Sequence, residues 1–296
     1  MKKIIALVLL LALVLSISAC GGEANNTDTN SVSDIESITM QEIYEASVFD
    51  TVLSKHESVY IVNTASDGVY QDYITKDYSY ELTPYFTTFT SVKTMYFDFD
   101  DECMCLVPID KDGVSNYAEH LAENNQSFVD PNSVEFTTIT STTKTDDRIV
   151  VNAVVDTKYF EGQAEEGAAQ ISSCEWKIEL DAETREIAAI GIVYTFDDGT
   201  VTESNVVIKY GAEVIDEVKP FLEYENQTEN LRTITVVLNP GTEDEKTETI
   251  QVPKGLYFEL DSEALFATFV DADCTEPLTF ADDYESDVTV YIKWAE

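Results

Sequence analysis

The stretch EWKIELDAETREIAAIGIVYTFDDGTVTESNVVIKY, residues 175–210, decides how the chain is read. Trp176, Ile178 and Leu180 share one side of an extended chain, and Lys177, Glu179 and Asp181 share the other. A period of two is what a half-buried strand shows. Asp181-Ala-Glu-Thr-Arg185 is a turn. Ala188, Ile190, Ile192, Tyr194 and Phe196 then alternate up to a second turn at Asp198-Gly199, and Val206, Ile208 and Tyr210 alternate after it. Strands joined by short polar turns predict an antiparallel meander.

Working towards the N-terminus, the same chemistry continues. Segments near 58–65, 69–76, 78–82, 86–90 and 92–99 are rich in Tyr, Phe, Val and Thr and are broken by Asp67-Gly68, Lys76-Asp77 and Pro84, and strands resume near 134–143, 147–156 and 172–181. Residues 111–125 read as a turn followed by a short helix. Before the strands, Met40, Ile43, Tyr44, Val48 and Val52 recur at helical spacing, with Ala46, Phe49 and Leu53 widening the stripe. That spacing predicts one amphipathic helix of about 16 residues with a broad buried face.

The first residues carry an address. Lys2 and Lys3 precede an apolar run from Ile4 to Ile17, followed by Ser18-Ala19-Cys20. A basic start, a short apolar stretch and small residues before the cut describe a secretory signal over residues 1–19. The run is shorter than the roughly 20 residues that span a bilayer. Ile17-Ser18-Ala19-Cys20 resembles the bacterial lipobox, which implies that Cys20 becomes a lipidated first residue. Residues 20–37, polar and small, then form a flexible tether. The expected location is the extracytoplasmic face of a cell membrane, with the membrane itself as a partner through Cys20.

Charge restricts the rest. With 17 Lys and Arg against 57 Asp and Glu, the formal charge is −40, so nucleic acid is excluded as a partner. Hydrophobic residues make up 44% of the chain, enough to build packed cores despite the acidity. Only two histidines occur, so His-based triads and multi-His metal sites lack material. His56 and His120 read as lone surface residues. No Gly-x-Ser-x-Gly, phosphate loop, Gly-x-Gly-x-x-Gly or His-Glu-x-x-His is present. No catalytic residue, metal ligand or cofactor is therefore assigned, and the chain reads as no enzyme.

Three groupings still carry possible chemistry. Cys103-Met104-Cys105 puts two thiols on one side of a strand, suited to a soft metal, to a disulfide with a partner such as Cys174, or to buried free thiols; Cys274 is the remaining thiol. Asp110-Lys-Asp112-Gly113 with Glu119 matches part of a calcium loop, but Pro108 stands where the leading Asp belongs, so a plain turn is expected. Aromatic residues crowd the stretch from Tyr60 to Phe99. They could pack beneath the first helix or line a groove for acyl chains or glycans. For such a groove the candidates are Met40, Tyr44, Val48 and Val52 on the helix and Tyr73, Tyr80 and Phe97 on the strands.

After residues 216–230, polar and read as a linker, the last stretch is again β-rich. TITVVLNPGTEDEKTETIQVPKG (233–255), DADCTEPLTF (271–280) and DVTVYIKW (287–294) resemble the internalin-type (Listeria–Bacteroides) B-repeat. That resemblance implies a small β-grasp-like module on a bacterial surface protein, an adhesion or stalk unit without catalysis. Residues 38–215 resemble lipoprotein-carrier domains of the LolA/LolB type. The resemblance rests on helix-before-strands order, on Trp176-Lys-Ile-Glu-Leu-Asp181-Ala-Glu-Thr184 and on Tyr210-Gly-Ala-Glu213. It implies a helix lying in the concave face of an antiparallel half-barrel, and acyl-chain binding.

The expected fold class is thus α+β, with an N-terminal helix packed on an antiparallel half-barrel sheet over 38–215 and a β-grasp-like module over 231–296. The expected function is a non-catalytic binding or adhesion module at the envelope, with an unknown protein, glycan or lipid as partner. The alternative is a carrier of lipid or another hydrophobic ligand between helix and sheet. A tightly packed helix would favour the first; a cavity of several hundred Å³ beneath it would favour the second.

Overall fold

The computed structural model describes residues 38–65, 68–99, 102–110, 112–118, 121, 127–161, 169–262, 268–276 and 285–293. The signal segment, Cys20 and the tether lie outside them, as do His120 and Glu119.

In chain order, α1 (Met40–Ser47) and α2 (Phe49–Lys55) lead into β1 (Val59–Thr64), β2 (Val69–Ile74), β3 (Tyr78–Leu82), β4 (Thr87–Ser91), β5 (Met95–Phe99), β6 (Glu102–Asp110) and β7 (Gly113–Val114). There follow β8 (Thr137–Lys144), β9 (Arg148–Val155), β10 (Ile171–Asp181), β11 (Ile187–Phe196) and β12 (Val201–Tyr210). Helix α3 (Lys219–Glu225) precedes β13 (Leu231–Leu238), β14 (Lys246–Pro253), β15 (Tyr257–Ser262), β16 (Thr268–Phe269) and β17 (Val288–Ile292). The described residues fall into two compact units, one drawn from 1–76 with 126–212, the other from 77–125 with 213–296.

In the first unit, seven strands run β2-β1-β12-β11-β10-β9-β8, each antiparallel to its neighbours. The alternation of residues 176–210 becomes facing rows: Ile178 stands between Val151 and Ile190, and Trp176 between Ala153 and Ile192. Helices α1 and α2 pack on this inner face. Ile43, Val59, Val151, Ile178 and Ile187 are sealed from solvent in one core. Each buried aliphatic side chain contributes roughly 1.5–3 kcal/mol to that packing.

The single helix expected over about 16 residues is two. Val48 sits at φ −69°, ψ 124°, closing α1 and opening α2. The break lets the Val48 backbone bridge to Ser127 and the Ser47 carbonyl accept the Phe128 N–H at 3.3 Å. A capping box starts α1: the Thr39 hydroxyl accepts the Glu42 N–H at 3.2 Å, and the Glu42 carboxylate accepts the Thr39 N–H at 2.8 Å.

The second unit has two sheets. In one, β15-β6-β5-β4-β3 are neighbours, with β15 parallel to β6 and β7 folded back on β6. In the other, the order is β14-β13-β17-β16, with β13 and β17 parallel. Helix α3 lays Phe221 on the aromatic face of the first sheet, stacked on Phe89 at 5.6 Å and 6°, with Tyr80 and Tyr96 at 6.0 and 6.1 Å. Glu225, at its end, accepts hydrogen bonds from the Ser91 and Thr94 hydroxyls. Arg232 is 2% exposed; one of its Nη atoms donates to the Leu256 carbonyl at 2.9 Å, and its guanidinium lies over the Phe258 ring.

The α+β class is therefore corrected to a mostly β chain. Among the described residues the longer α-helices are 40–47, 49–55 and 219–225, while strands dominate what remains. The separate β-grasp module is corrected as well. Its third strand, β15, leaves the β13–β14 sheet and adds to β6, pairing Tyr257 with Met104 and Phe258 with Cys105.

Candidate functional site

A cleft of about 300 Å³ opens on the first unit, between α1, α2 and the β10–β11 turn. Its inner wall is apolar: Ile38, Ile43, Val52 and Leu180 are buried there, and Ala46 half-buried. Its rim is charged and polar, formed by Glu42, Glu45, Thr51, Lys55, Thr184, Arg185 and Glu186.

The turn that supplies half of this rim is built by one side chain. The Asp181 carboxylate accepts N–H bonds from Glu183 and Thr184 at 2.9 and 2.8 Å, and the Arg185 N–H returns to the Asp181 carbonyl at 3.0 Å. Those N–H donors, Thr184 first, hold the Asp181 carboxyl below its ordinary value. Arg185 takes the left-handed conformation, φ 61°, which turns the chain back into β11. His56, just past α2, reaches Glu186 with Nε2 2.6 Å from Oε1 and rests its ring 5.0 Å from that of Tyr210. Helix end and turn are thereby pinned to each other.

The three rim carboxylates are all engaged. Glu42 is held below the ordinary carboxylate value by the Thr39 N–H, then by the Thr39 hydroxyl, with Arg185 adding a smaller attraction. Glu45 accepts from the Gln41 amide at 3.1 Å. Glu186 holds His56 and takes a 3.3 Å bond from the Thr184 hydroxyl. The Lys55 ammonium makes no hydrogen bond or ion pair among the described residues.

Of the seven groove candidates named from sequence, only Val52 lines this cleft. Met40 and Val52 are buried in the first unit's core, Tyr44 packs against it, and Val48 occupies the break between the helices. Tyr73 is buried on β2, its hydroxyl donating to the Ala212 carbonyl at 3.1 Å. Tyr80 and Phe97 belong to the second unit, Tyr80 against Phe221 and Phe97 stacked with Phe86 at 5.5 Å. The structure does not bring the seven together. His56, read as a lone surface residue, is instead half-buried and bonded to Glu186.

The thiols are quiet. Cys103, Cys105, Cys174 and Cys274 are all free. Burial, above all, pushes Cys103, Cys105 and Cys174 up to about 12. Among the described residues no three His, Cys, Asp or Glu side chains converge as a metal site requires. Asp110 accepts the Asp112 N–H at 2.6 Å within the tight β6–β7 hairpin. Among the described residues no helix is long and apolar enough to cross a membrane.

No family model matches the chain, and no curated protein matches it. Among solved structures, LprF from Mycobacterium bovis is similar at a TM-score of 0.28 and 15% identity, over 60% of this chain and 94% of LprF. MucB is similar at a TM-score of 0.24 and 11% identity, over 56% of this chain and 57% of MucB. At TM-scores of this size neither likeness transfers a fold or an activity to this chain.

Proposed function

We propose that this chain is a non-catalytic carrier of a hydrophobic ligand, held at the outer face of a bacterial membrane by lipid on Cys20. One observation carries the reading: the apolar-walled cleft of about 300 Å³ beside α1 and α2. Elsewhere the helices pack tightly on the inner face, with Met40, Phe49 and Leu53 buried to 7%, 4% and 7% exposure. Room for a ligand is thus confined to one side, where apolar side chains meet a polar rim. That is the composition of a small-molecule site, at the low end of the usual size of roughly 300–1,000 Å³. Acyl-chain binding is also what the sequence resemblance to lipoprotein-carrier domains implies.

The test is a titration with the neutral fluorophore N-phenyl-1-naphthylamine. One probe per chain should bind the native protein, and Ala46→Trp, which fills the cleft, should abolish the signal while the protein stays folded. No binding, or equal binding by the variant, would overturn the proposal.

A further inference from the structure

We infer that the sheet face of the second unit turned away from α3 docks a cationic amphipathic helix of a partner polypeptide. Its basic side chains would meet Glu81, and its apolar stripe would lie along Phe97, Met104 and Tyr257. Strand register sorts this sheet into two kinds of row. Tyr80, Phe89, Tyr96, Cys105 and Phe258 stand side by side across β3, β4, β5, β6 and β15, and all five are buried on the side where α3 lies. One residue along each strand, and so on the opposite side, stand Glu81, Thr88, Phe97, Met104 and Tyr257. None of these is sealed; each is half-buried. The Phe86 ring stacks on Phe97 at 5.5 Å, and Phe99, two residues further along β5, is 50% exposed. Apolar groups collected on one open face mark a contact surface.

Charge selects the partner. Strands β3, β4, β5, β6 and β15 contain no Lys or Arg. Burial raises the Glu81 carboxyl above its ordinary value, against a smaller lowering by the Thr88 hydroxyl. Glu81 makes no ion pair among the described residues. A carboxylate held partly out of water with no cation beside it is best answered by a cation from outside. Such a cation, close to aromatic rings, also gains from their negative faces. The chain's −40 attracts basic partners and repels both anionic bilayers and a second copy of itself. Backbone pairing selects the form. Strands β4, β5 and β6 are bonded to neighbours on both sides, so this face offers no free backbone to an extended peptide, whereas a helix bonds its own. Four steps of about 4.8 Å between strands make the row about 19 Å long, the length of a helix of about 13 residues.

The experiment uses a labelled Leu/Lys peptide of about 14 residues with Leu at helical spacing, and the same composition in an order without a stripe. Both are titrated by fluorescence anisotropy at 0.15 M salt. The native chain should bind the striped peptide about tenfold tighter than the unstriped one, whose binding reports net charge alone. Phe97→Ser should remove that advantage. Phe99→Ser, at a position already half in solvent, should cut it about threefold with the melting temperature unchanged. Glu81→Gln should weaken the striped peptide about threefold. Equal binding of the two peptides by the native chain, or an advantage that survives both serine variants, overturns the proposal. A striped Leu/Glu peptide that binds as tightly as the Leu/Lys one overturns it as well.

Discussion

The Nε2 atom of His56 lies 2.6 Å from the Glu186 carboxylate, joining the end of α2 to a turn 130 residues further along the chain. This bond holds Arg185 and Glu186 over the wall made by the helices, so the cleft depends on it. His56→Ala should lower stability by about 1–2 kcal/mol, since both side chains are less than one-third exposed and the acceptor is a carboxylate. Glu186→Gln, which keeps an acceptor, should cost less. Both should weaken probe binding, and denaturant titration alongside fluorescence separates the two effects.

The helix start offers a second check. Thr39 and Glu42 satisfy each other's backbone N–H groups at the first turn of α1. Thr39→Ala removes the cap and should cost about 1 kcal/mol, with Thr39→Ser close to neutral. Thermal melts read the difference.

In the second unit, Phe221 is the side chain that covers the aromatic sheet face. Its removal leaves a void between Phe89, Tyr80 and Tyr96. Phe221→Ala should therefore destabilise by about 3–5 kcal/mol, whereas Phe221→Leu should recover most of the loss. An alanine variant as stable as the native chain would show that α3 does not pack there.

Alkali should unfold the protein over a defined range. Cys103, Cys105 and Cys174 ordinarily titrate near 9.0, but burial raises each to about 12. Between those values the unfolded chain has lost these protons and the folded chain keeps them. Stability is thus full below pH 9 and falls as pH rises towards 12. The midpoint of urea unfolding should drop across that window, and replacing Cys105 with Ala should flatten the drop. At pH 8 the native thiols should react slowly with alkylating reagents.

Local patterning told much of the strand content. The Trp176–Tyr210 stretch alternates because one face is buried, and each turn announces itself with Asp, Gly or Thr. What local pattern could not show is what pairs at long range. The helix breaks at Val48 because its backbone meets Ser127, a partner that the helical stripe says nothing about. Strand β15 joins β6, some 150 residues earlier, although its own alternation suits either sheet equally well. For this reason the repeat-like C-terminal sequence does not form a self-contained module. The cleft escaped for a related reason. Aromatic density drew attention to Tyr73, Tyr80 and Phe97, which pack elsewhere, while Lys55, Arg185 and Glu186 are ordinary surface residues until a fold brings turn and helix together. Only the turn Asp181–Arg185 was visible as a feature, and its left-handed Arg185 was not.

The most direct test of the carrier reading is native mass spectrometry of the purified protein and of Ala46→Trp, each followed by organic extraction and identification of whatever travels with it. The account predicts one hydrophobic ligand per native chain and none on the variant. The same bound mass on both proteins, or none on the native chain even after incubation with N-phenyl-1-naphthylamine, would contradict it.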